Sequence, residues 1–146
     1  MLTREESAGY MTNWAARLFT RAINRNIGPL GLAPAYLPVF FALGAGNSMS
    51  QKDIVGRAAV EQPTMAATLA RMERDGLVSR KPDTRDRRTM LYSLTASAMK
   101  LVGEVQAAAI GTNGAALAGL TETERATFFA LIGRIVENLQ AMEAET

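Results

Sequence analysis

Apolar residues recur at three- and four-residue intervals through Met11, Trp14, Ala15, Leu18 and Ala22. That period predicts a helix over about residues 5–27 with one apolar face. Gly28-Pro29 ends it. Pro34 opens a second, strongly apolar helix through Tyr36, Leu37, Val39, Phe40, Phe41 and Leu43, which stops at residues 44–47. Ser50-Gln51-Lys52-Asp53 has the form of a capping box: the Ser50 hydroxyl accepts from the Asp53 amide and the Asp53 carboxylate reaches back. The short third helix that follows turns Ile54, Val55 and Ala58 inward. Pro63 suits the first turn of a fourth helix running to about Asp75. On it, Met65, Leu69 and Met72 form a buried stripe. Thr64, Thr68 and Arg71 share the same spacing and point about 100° away. Gly76 supplies the C-terminal cap.

Two strand-like pieces come next, Leu77-Val78 and residues 90–94. They flank a polar tip at residues 82–88, the pattern of a β-hairpin. Thr95 can cap a fifth helix holding Met99, Val102, Val105 and Ile110, weakened by Gly103, Gly111, Gly114 and Gly119. Thr121-Glu122-Thr123-Glu124 is a capping box for a sixth helix with an apolar stripe of Phe128, Leu131, Ile135, Leu139 and Met142. A capped short helix, a tight link and a polar-faced helix make a helix-turn-helix, and the hairpin directly after it adds a wing. The predicted fold class is mainly α with a small β-hairpin wing, a winged helix-turn-helix with helices on either side. It is one domain over residues 1–146, with residues 33–95 as the DNA-binding region.

Composition sharpens this reading mostly by exclusion. The 146 residues include no His and no Cys, which removes thiol nucleophiles, Ser-His dyads, structural zinc sites, disulfides and thiol redox sensing. No paired-carboxylate or metal-ligand cluster is apparent, so neither an enzyme nor a cofactor is expected. The N-terminus lacks a signal-peptide core and no run of about 20 uncharged apolar residues exists. A cytoplasmic protein with no membrane partner is therefore expected. Net charge is only +2, and its distribution says more: residues 79–90 hold five basic side chains against two acids, while residues 122–146 lean acidic.

The chemistry fits double-stranded DNA. The major groove admits one α-helix, whose leading side chains reach base edges. Gln62 can pair with adenine, Arg71 with guanine, and Thr64 and Thr68 offer hydroxyl and methyl. Ser50, Gln51 and Lys52 would sit near phosphates and fix register. The tip residues Arg85, Asp86 and Arg88 would approach the flanking minor groove.

Gln62-Pro63-Thr64, the run Leu-Ala-Arg-Met-Glu-Arg-Asp-Gly-Leu-Val-Ser-Arg at residues 69–80, the tip Asp83-Thr84-Arg85-Asp86-Arg87-Arg88, and Ser93-Leu94-Thr95 together resemble the MarR (multiple antibiotic resistance regulator) family. The likeness extends over nearly the whole chain. The most specific part is an Asp-x-Arg unit, Asp86-Arg87-Arg88, a few residues before Leu94-Thr95. It implies that Arg88 enters the minor groove with Asp86 orienting the wing through a charge pair. Glu61 departs from the family by replacing the small hydroxyl residue usual before Gln-Pro-Thr.

The resemblance also implies a homodimer reading a pseudo-palindromic operator. Residues 1–30 and 96–146 would be its dimerisation helices, with Phe128, Leu131, Ile135, Leu139 and Met142 at the interface; packing within the chain is the alternative. It further implies a small organic effector, often aromatic and anionic, in a crevice that Trp14, Arg17, Tyr36 and Phe40 can line, although Phe40 and Phe41 also suit a plain core. The expectation is a dimeric, sequence-specific transcriptional regulator, a repressor released by its effector. The alternative is a non-specific architectural DNA-binding protein.

Overall fold

The Ser7 hydroxyl accepts a hydrogen bond from the Tyr10 amide at 3.2 Å, and this cap starts α1 (Ala8–Ile27). The computed structural model describes residues 1–146. Only the last turns of α1 are buried, through Ile23 and Ile27, whereas Met11, Trp14 and Leu18 of the predicted apolar face remain exposed. Pro34 opens a single 3-10 turn that leads directly into α2 (Leu37–Leu43).

Met49–Ser50 forms a short strand, β1, followed by α3 (Gln51–Ala58), α4 (Gln62–Arg74), β2 (Val78–Pro82) and β3 (Met90–Leu94). The sheet is antiparallel in the order β1-β3-β2. Val78 lies opposite Leu94, and Pro82 opposite Met90. β1 was not predicted; two residues are too few to display an alternating pattern. α5 (Ala96–Met99) and α6 (Val102–Ala116) replace the single predicted fifth helix. Val105 is buried as expected, but Met99 and Ile110 are exposed.

The chain divides into two units, Met1–Thr112 and Asn113–Thr146. The core of the first is built from Ile27, Tyr36, Phe40, Leu43, Ile54, Met65, Leu69, Met72, Val78 and Val105, all essentially sealed from solvent. The Asn26 amide donates to the Thr112 hydroxyl at 3.2 Å, which satisfies one of its two buried polar side chains. The second unit contains the end of α6 and the long α7 (Glu122–Ala144). Here the capping box closes in both directions: the Glu124 amide donates to the Thr121 hydroxyl at 3.1 Å and the Thr121 amide to the Glu124 carboxylate at 2.9 Å. The Thr121 amide first, and then the Thr121 hydroxyl beside it, hold the Glu124 carboxyl below its ordinary pKa. No α7 residue is buried. No single helix is long and apolar enough to cross a membrane.

Candidate nucleic-acid interface

The helix pair α3–α4 is shaped by its caps. The Ser50 hydroxyl accepts from the Asp53 amide at 3.2 Å, but only this half of the predicted box forms. Between the helices, Ala59 takes the left-handed conformation at φ 53°, and its amide closes α3 on the Val55 carbonyl at 3.0 Å. Glu61 occupies the N-cap position of α4 without a side-chain capping bond, and Pro63 lies in the first turn. At the far end Gly76, at φ 74°, forms a Schellman cap. Its amide donates to the Glu73 carbonyl at 3.1 Å and the Leu77 amide to the Met72 carbonyl at 2.8 Å.

Gln62 and Thr64 are exposed at the leading end of α4, and Ser50, Gln51 and Lys52 at the start of α3 are exposed or half-buried. The structure joins the two starts: the Gln51 amide donates to the Gln62 side-chain oxygen at 3.0 Å. Thr68 does not belong with them. It is 7% exposed, packed into the core side of α4. Its position, three residues after Met65 and four before Met72, puts it within about 40° of Met72 around the helix axis. Arg71 is exposed, yet its guanidinium lies over the Tyr36 ring, 5.6 Å from the centroid, rather than standing free.

The wing tip is organised by two aspartates. Asp83 accepts from the Arg85 amide at 3.0 Å. Asp86 accepts from both the amide and the Nε of Arg88, at 3.1 and 3.2 Å, and its carbonyl accepts from the Thr89 amide at 2.9 Å. Arg88 thus pairs with Asp86 while 92% of its side chain remains exposed. A second ion pair, Arg80 to Glu73 at 3.1 Å, ties β2 to α4. Half-exposed as it is, it contributes at most about 1 kcal/mol, and its effect is to orient the hairpin.

The four effector candidates are not brought together as a lined crevice. Tyr36 and Phe40 are each 2% exposed, sealed in the core because α2 supplies its central apolar layer. Trp14 and Arg17 lie exposed on α1, and the Trp14 ring carries Arg4 at 5.4 Å.

Sequence reasoning missed the partner of Tyr36: its hydroxyl donates to the Asp75 carboxylate at 2.6 Å. A signal was present. A carboxylate in the C-cap position opposes the helix dipole and calls for a donor.

A short capped helix, a helix with a polar leading end and an arginine-tipped hairpin define a winged helix-turn-helix DNA-binding protein. Residues 30–89 match the model of the MarR family. The helix-turn-helix-type transcriptional regulator YwoH of Bacillus subtilis is 29% identical over 119 residues, covering 82% of this chain and 86% of its own. Among solved structures, BpsR of Bordetella bronchiseptica, whose DNA binding is regulated by 6-hydroxynicotinic acid, is 25% identical. It superposes with a TM-score of 0.83 over 90% of this chain and 94% of its own. A cysteine-to-serine mutant of MarR from E. coli, complexed with operator DNA, is 20% identical, with a TM-score of 0.80 over 87% of this chain and 91% of its own. Through residues 30–89 and through its fold, the chain is similar to transcriptional regulators of the MarR family.

Proposed function

We propose that this protein is a dimeric, sequence-specific DNA-binding repressor whose hold on its operator is loosened by a small organic molecule. The observation that carries the reading is the pairing of two exposed elements in one module. One is the leading end of α4, with Gln62 and Thr64 held beside Gln51. The other is the wing tip, with Arg88 aimed by Asp86. Gln62 and Thr64 would read base edges. Ser50, Gln51 and Lys52 would meet phosphates, Arg88 would enter the minor groove, and Arg85 would take a groove or phosphate contact. Arg71 would reach a base only by leaving the Tyr36 ring.

Support for a small-molecule effector comes from the relative BpsR, whose DNA binding responds to 6-hydroxynicotinic acid. With Tyr36 and Phe40 in the core, Trp14 and Arg17 remain the exposed candidates to meet an aromatic anion, the guanidinium through its carboxylate.

The test is a fluorescence anisotropy titration with the DNA upstream of its own gene against a random duplex of equal length. A preference of 10³-fold or more is the order expected for a specific regulator at physiological salt. Equal affinity for both duplexes would leave an architectural protein and sink this reading. If two copies together neutralise about eight phosphates, the log-log salt slope should be about −7.

A further inference from the structure

We propose that Tyr36 is a positioning residue for DNA reading: its hydroxyl on Asp75 and its ring beneath Arg71 clamp the last turn of α4, and so set the aim of Gln62 and Thr64 at the other end. This rests on the reading of α4 as the helix that meets DNA.

Two locally unfavourable choices motivate it. A hydroxyl on a ring 2% exposed is costly to bury unless it is bonded, and phenylalanine would fill the same space without that demand. Asp75, in the C-cap position of α4, sets a negative charge against the negative end of the helix dipole. The 2.6 Å bond from the Tyr36 hydroxyl to the Asp75 carboxylate answers both. One turn earlier, Arg71 lies over the same ring at 5.6 Å. Tyr36 ends the turn that opens α2, so both attachments fasten α4 to an element before the helix-turn-helix.

Geometry turns this clamp into an aiming device. Thr64 precedes Asp75 by 11 residues, or about 16 Å along the helix. A tilt of about 5° at the clamped end moves the leading end by roughly 1.4 Å at that length. Hydrogen bonds to base edges tolerate only a few tenths of an ångström. Phosphate contacts made through long, flexible side chains tolerate much more. Loosening the clamp therefore erodes sequence discrimination before it erodes general affinity.

The experiment measures binding of four variants to fluorescein-labelled duplexes, one from upstream of its own gene and one random. Each variant is first checked by circular dichroism to be folded at the working temperature. Tyr36→Phe keeps the ring beneath Arg71 and removes only the donor. It should lower the ratio of specific to random affinity about tenfold, with random-duplex affinity and salt slope unchanged. Asp75→Asn keeps an acceptor and should stay within about twofold of wild type. Asp75→Ala should match Tyr36→Phe, and the double variant Tyr36→Phe/Asp75→Ala should be no worse than either. A Tyr36→Phe ratio equal to wild type, or losses that add in the double variant, overturns the inference. A purely structural role would lower both affinities together and leave the ratio intact, which overturns it too. Wild-type protein with no preference for its own DNA sinks the DNA-binding reading itself, and this inference with it.

Discussion

Ala59 is the one residue other than glycine with a positive φ, 53°, and it stands at the turn of the helix-turn-helix. An L-residue there crowds its Cβ against the following carbonyl, at a cost of about 1–2 kcal/mol. Ala59→Gly relieves that strain but frees the unfolded chain, so the expected net gain is about 0.5–1 kcal/mol. The unfolding midpoint should rise by a few degrees, and an unchanged or lower midpoint would contradict the strain.

Tyr36 offers a second residue-scale prediction. Burial first, and then its bond to Asp75, raise the phenol above its ordinary pKa of 10.0. A folded-state pKa above the unfolded one means the folded protein keeps a proton that the unfolded chain releases. The associated stability is fully present below pH 10 and is lost as pH rises through the raised value. Denaturant unfolding of wild type and Tyr36→Phe should therefore converge above pH 10. A constant difference across that range would show that the hydroxyl does not titrate as described.

At the scale of elements, the wing behaves as a unit. Asp86 holds the Arg88 amide and Nε on one oxygen. Asp86→Ala should therefore weaken operator binding nearly as much as Arg88→Ala, by roughly 1–3 kcal/mol. The double variant should fall well short of the sum, because the two side chains act through one contact. Full additivity in an anisotropy titration would separate the roles of Asp86 and Arg88. The wing was legible in the sequence because its signals are local: a polar tip between two apolar pieces, directly after a glycine that caps the preceding helix. The caps at Ser50, Thr95 and Thr121 were legible for the same reason. What escaped depends on neighbours distant in sequence. β1 exists only because β3 offers it an edge. Thr68 was placed on the polar face by its spacing from Thr64 and Arg71, yet it is buried, because the covered face of α4 is wider than the stripe of Met65, Leu69 and Met72. Tyr36 was assigned to a pocket by its aromatic character, while its partner Asp75 lies 39 residues away.

At the scale of the whole molecule, α7 has an apolar stripe and no buried residue. Phe128, Leu131, Ile135, Leu139 and Met142 are all exposed, as are Met11, Trp14 and Leu18 on α1. Scattered surface apolar residues need no explanation, but a periodic stripe along a 23-residue helix does. A second copy of the chain is the occupant we propose. In a two-fold dimer every substitution is counted twice. Replacing Ile135 by a carboxylate forfeits about 1.5–3 kcal/mol of burial on each copy. Ile135→Asp should thus raise the dimer dissociation constant on the order of 10²–10⁴-fold, since each 1.4 kcal/mol is tenfold. Sedimentation at micromolar concentration would read this as a shift toward monomer. Its consequence for DNA is separable from unfolding. A monomer carries one winged helix and about half the phosphate contacts, so its salt slope should fall from about −7 to about −3.5. A folded Ile135→Asp protein that remains dimeric, or a monomer that keeps the full slope, would dissociate α7 from operator binding.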